Sequence, residues 1–144
     1  MYKKVSHITM VVENLERTLK AYEGLMKLAP EGDEPVKKTP DARMAMISLG
    51  EISVEFIEPD MDKDSPFSRF LREKGEGVFC YCVFVDDYDS HINHLKEQGA
   101  ALEEVEQKDF FPDHPFRIAW VLPENGVGTR IELVDYDALP DWEK

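Results

Sequence analysis

Cysteine is scarce in this chain: only two occur among 144 residues, Cys80 and Cys82. In a strand their side chains share one face but stand too close in sequence for an ordinary structural bridge, so reduced thiols are expected. Positive charge is short as well. Seventeen Lys and Arg against 30 Asp and Glu leave a net charge of −13. That excludes a general nucleic-acid or anionic-membrane surface, which would need clustered cations. No run of about 18 apolar residues is present to cross a bilayer. The first four residues lead into a strand pattern with no apolar signal core. The expectation is a soluble, cytoplasmic protein whose partners include neither nucleic acid nor membrane.

What is present suits one domain, since 42% hydrophobic residues in a chain of this length can bury a core. Val5 to Val12 alternates as a strand and carries one polar ring, His7. Asn14 is a candidate N-cap, and Leu15, Leu19, Tyr22 and Met26 recur at helical spacing, predicting a helix over about 14–28. Residues 29–40 read as a loop around a short edge strand. Strands follow at 42–49 and 52–58, joined by a turn at Leu49-Gly50-Glu51. Ser65 then caps a short helix with Pro66 at its first position.

The pattern repeats from Val78. A strand at 78–85 leads into an amphipathic helix closed by Gly99, and further strands are predicted at 101–105, 116–122 and 128–134. Turns are expected at 112–115 and 123–126. Val5, Val12, Glu13 and Leu19 recur as Val78, Val85, Asp86 and Ile92 at one fixed offset. Arg43-Met44-Ala45 recurs as Arg117-Ile118-Ala119, and Val54-Glu55-Phe56 as Ile131-Glu132-Leu133. The chain therefore reads as a duplication. Module 1 covers about 3–60, a connector 61–76, module 2 about 77–136, and a polar tail 137–144. The fold class is α+β, two βαβββ modules forming a cupped mixed β-sheet with helices outside.

Strand alternation puts His7, Thr9 and Val11 on the face away from the helix layer. By the repeat, Cys80 and Cys82 share the equivalent face, and Glu55 and Glu132 stand at equivalent places on the last strand of each module. Carboxylates in an apolar setting are costly unless partnered, and a divalent metal would partner them. Met44, Met46 and Trp120 would line the same cup. His114, between prolines, is a candidate substrate contact, and Arg43 and Arg117 are among few cations for an anionic ligand. His91 and His94 read as a solvated helix face. As the alternative, Cys80 and Cys82 are small buried hydrophobes.

The order His7, Glu55, a position on the fifth strand and Glu132, inside paired βαβββ modules, resembles the vicinal oxygen chelate superfamily. That superfamily includes glyoxalase I, methylmalonyl-CoA epimerase and ring-cleaving dioxygenases. The run Val54 to Pro59, the segment DSPFSRFLREKGEG at 64–77, and the RIAWVLP and RIELV runs resemble the epimerases most. The resemblance implies a divalent metal (zinc, iron, cobalt or manganese) held by His7, Glu55, Cys80 and Glu132, with Glu132 also the first candidate for catalytic base. It implies a substrate pocket drawing on Met44, Met46, Cys82, His114, Arg117 and Trp120. The chain departs from the epimerases at Phe79-Cys80, where they carry a His-His pair. Either Cys80 is a thiolate ligand, which would favour zinc or iron over magnesium, or the site has been repurposed.

The expected function is a metal-dependent epimerase-like isomerase acting through a metal-stabilised enolate on a small, methylmalonyl-CoA-like acyl-CoA. A glyoxalase I-like lactoylglutathione lyase and a metal-free, bleomycin-resistance-like binding protein are the alternatives. A dioxygenase fits less well, because it wants two histidines and one carboxylate. The resemblance also implies a homodimer.

Overall fold

The computed structural model describes residues 2–108, 111 and 113–144. Its elements run β1 (Tyr2–Val11), α1 (Leu15–Met26), β2 (Lys37–Lys38), β3 (Ala42–Ser48), β4 (Ser53–Pro59) and α2 (Pro66–Lys74). Then follow β5 (Gly77–Val85), α3 (Tyr88–Glu97), β6 (Leu102–Gln107), β7 (Phe116–Val121) and β8 (Arg130–Asp135). Short 3-10 turns lie at Pro123–Asn125, Tyr136–Ala138 and Asp141–Glu143. The fold class is α+β with mixed strand pairing and the βαβββ order present twice, as the repeat predicts. Contacts divide the chain into two units. One takes the chain up to Ser6 together with Cys80–Lys144, the other takes His7–Phe79, so β1 and β5 each contribute to both. Among the described residues no helix is long and apolar enough to cross a membrane.

In the His7–Phe79 unit, β1 pairs in parallel with β4, and β4 and β3 form the antiparallel hairpin that the Leu49-Gly50-Glu51 turn predicts. The edge strand expected within 29–40 is the two-residue β2, paired with β3. Asn14 is extended and its side chain accepts the Arg17 N–H at 2.9 Å, which satisfies one orphan donor of α1. Leu15, Leu19 and Tyr22 then pack on Ala45, Ile47, Val54 and Phe56. Met26 does not join them: it is 55% exposed on the last helical residue. Lys27 turns left-handed (φ 57°) and ends the helix, and Leu28 packs on the core instead. In α2, Ser65 and Ser68 exchange hydrogen bonds at 3.1 and 2.9 Å with Pro66 in the first turn.

In the other unit, β5 pairs in parallel with β8, β8 antiparallel with β7, and β7 antiparallel with β6. Tyr88 and Ile92 of α3 pack on Val83, Val85, Ala119, Val121 and Leu133. Strand β6 runs to Gln107, two residues past the expected end, because its ladder with β7 continues to Phe116. Of the turn expected at 112–115, Pro112 lies outside the described residues. The segment read as a polar tail buries Leu139 and sets Trp142 edge-on to Phe111, ring centroids 5.0 Å apart.

Each unit fixes its helix to its sheet with the same device. Arg43 on β3 donates to Glu16 in the first turn of α1 at 2.6 and 2.8 Å, and to Glu58 on β4 at 2.9 Å. Glu58 also accepts the Leu15 N–H at 2.7 Å, at the start of the helix. Arg117 on β7 likewise donates to Asp89 in the first turn of α3 at 2.6 Å and to Asp135 on β8 at 2.8 Å. Its guanidinium also stacks on the Tyr88 ring, 4.6 Å from the centroid.

Candidate functional site

The face of each sheet away from its helix carries one matching row of side chains. In the His7–Phe79 unit that row is Thr9, Glu55 and Met46, directly opposite one another across β1, β4 and β3. In the other unit it is Cys82, Glu132 and Trp120 across β5, β8 and β7. The duplication read from the sequence thus continues in the ladders: one carboxylate stands at the centre of each row.

The two carboxylates are held from opposite flanks. The Thr9 hydroxyl donates to Glu55 Oε1 at 3.2 Å. Burial of that carboxyl outweighs the hydrogen bond and pushes its pKa up from 4.5 to about 7. Glu132 Oε2 instead accepts the Trp120 indole N–H at 2.8 Å. On its other flank stands buried Cys82, whose Sγ lies within 4.8 Å of a Glu132 carboxylate oxygen. A buried thiol and a carboxylate this close form a donor pair suited to a borderline-soft divalent metal.

The remaining predicted site residues fall as follows. His7 is partly buried on β1, opposite Ser53. Cys80 is buried on β5, opposite Arg130, one row away from Glu132. Met46 shares the Glu55 row, while Met44 is opposite Ile57. His114 is exposed in its loop, its backbone N–H donating to the Phe111 carbonyl at 2.9 Å. Arg117 is engaged by Asp89 and Asp135, as Arg43 is by Glu16 and Glu58. Sequence reasoning missed Thr9, the partner of Glu55. It also missed the acids that occupy the two arginines, although Glu16 and Asp89, and Glu58 and Asp135, stand in the repeat like the arginines they hold.

The family model described as the Glyoxalase/Bleomycin resistance protein/Dioxygenase superfamily matches residues 6–117. The chain belongs to that superfamily. No curated protein matches this superfamily member. Among solved structures it is similar to hypothetical protein BH1468 from Bacillus halodurans C-125, at 25% identity over 92% of this chain and 93% of that one, with TM-score 0.75. It is also similar to methylmalonyl-CoA epimerase from Mycobacterium tuberculosis, at 21% identity over 96% and 89% of the two chains, TM-score 0.73. A single-residue variant of the Streptomyces coelicolor methylmalonyl-CoA epimerase, in complex with 2-nitronate-propionyl-CoA, matches at 20% identity over 94% and 98%, TM-score 0.74. At such identities the epimerase likenesses show the fold alone.

Proposed function

We propose that this superfamily member is a metal-dependent, epimerase-like enzyme that moves the α proton of a small acyl-CoA of the methylmalonyl-CoA type. The observation that carries the reading is Glu132, held by Trp120 on one flank with the Cys82 thiol on the other. Cys82 and Glu132 would hold the metal. A bound divalent ion would supply Lewis acidity toward substrate oxygens. A thiolate and a carboxylate favour zinc, iron(II) or cobalt(II) over magnesium. Glu132 is the proton-transfer candidate, as the carboxylate held by the indole beside the Cys82 thiol.

A glyoxalase-like lyase acting on a glutathione hemithioacetal is the second reading. It is favoured by one observation: Arg43 and Arg117, two of the few cations that could meet CoA phosphates, are already engaged by carboxylates.

The test is metal content of untagged protein after reconstitution with zinc, iron(II), cobalt(II) and manganese(II), followed by assays on both substrates. About one zinc or cobalt per chain is expected, with Cys82→Ala and Glu132→Gln each losing most of it and Cys80→Ala retaining it. Retention in Cys82→Ala with loss in Cys80→Ala would move the ligand to Cys80. No stoichiometric metal in the wild type would overturn the reading. Turnover of the hemithioacetal without α-proton exchange in methylmalonyl-CoA would select the lyase.

A further inference from the structure

We infer that Trp120 is a positioning residue, whose indole N–H sets which oxygen of Glu132 is turned toward Cys82. The inference rests on the metal-holding role proposed for Glu132. The two residues face each other directly on the β7–β8 ladder, so the backbone fixes their separation, and the donor–acceptor distance is 2.8 Å. Trp120 is buried, and indole N–H is a donor with no acceptor capacity. Its ring has two torsions, both restricted by packing, so the hydrogen bond holds the carboxylate in one orientation.

The other unit provides an internal comparison. There the position of Trp120 is filled by Met46, which has no N–H, and Glu55 is held from the opposite flank by Thr9 at 3.2 Å. Cys82 occupies in its row the place that Thr9 occupies in the other. Tryptophan in place of methionine therefore adds a hold on the carboxylate from the β7-type flank. With Oε2 on the indole, the carboxylate is fixed beside Cys82, whose Sγ stands within 4.8 Å of one of its oxygens. Hydrogen-bond partners of metal ligands set ligand direction in this way, and their removal typically weakens metal affinity roughly 10–100-fold.

Cobalt(II) titration of metal-free wild type and Trp120→Phe tests this, because phenylalanine keeps the buried ring and removes only the N–H. The expected result is cobalt affinity weaker by roughly 10–100-fold, with changed visible d–d and thiolate charge-transfer bands and an unchanged far-ultraviolet circular dichroism spectrum. Equal affinity with an unchanged visible spectrum would overturn the positioning role while leaving the metal reading standing. A wild type that takes up no cobalt would overturn the metal reading and this inference with it. Should Trp120→Phe fail to fold, Trp142→Phe leaves Trp120 as the sole tryptophan of the two in the chain. Saturating zinc must then shift its emission, and emission unchanged at full zinc occupancy would overturn the inference.

Discussion

Glu55 and Glu132 occupy the same place in two copies of one motif, yet their surroundings ask different things of a proton. Burial of the Glu55 carboxyl raises its pKa to about 7, against the lowering effect of the Thr9 hydroxyl. A raised carboxyl pKa means that the folded state binds more protons than the unfolded state between about 4.5 and 7. The stability it contributes is therefore complete below about 4.5 and is lost as pH rises through about 7. In metal-free protein, stability should fall over that window, and Glu55→Gln should remove the fall and add on the order of 1–3 kcal/mol at neutral pH. Chemical denaturation at several pH values measures this; a variant with the wild-type pH profile would contradict it. The two glutamates were legible in sequence because a duplicated motif marks equivalent positions. That Cys82 stands beside Glu132, and Cys80 one row away, was not. The repeat aligns His7 with Cys80, whereas cross-strand neighbours depend on the β5–β8 register, which no local pattern encodes.

At the scale of elements, helix attachment depends on the two arginine clamps, whose arms differ in burial. Asp135 has a side chain 9% exposed, Asp89 one 73% exposed. Removing Arg117 would leave Asp135 buried without its guanidinium, so Arg117→Leu should cost roughly 2–4 kcal/mol. Asp89→Ala should cost less than about 1 kcal/mol, because solvent screens that arm. Thermal or urea unfolding of both variants distinguishes them, and equal losses would contradict the assignment. Strands, helices and caps were largely legible: Asn14, Ser65 and Pro66 act as their residue types suggest, since capping is local chemistry. Met26 and the C-terminal segment were less legible. A left-handed Lys27 stops α1 before Met26 can pack, and Leu139 and Trp142 find partners only through tertiary contact. The arginines were read as ligand contacts because their acids lie on other elements, distant in sequence.

At the scale of the whole molecule, duplication explains why one short chain carries two carboxylate rows and two helix clamps. It also explains how the rows could diverge: one carries a threonine and a methionine around its acid, the other a cysteine and a tryptophan. The acidic balance of −13 suits solubility and gives no general attraction to polyanions. Edge strands offer a route to self-association. We expect a homodimer, and light scattering that returns a monomer mass at micromolar concentration would contradict this.

In the proposed reaction Glu132, with a metal held beside it, moves an α proton. The most direct measurement is nuclear magnetic resonance of methylmalonyl-CoA in deuterated water with zinc- or cobalt-loaded protein. Catalysed deuterium entry at the α carbon is expected in the wild type, with a loss of at least about 100-fold in Glu132→Gln, which removes the base and a metal ligand together. Exchange no faster than the protein-free rate in the metal-loaded wild type, or undiminished in Glu132→Gln, would contradict it.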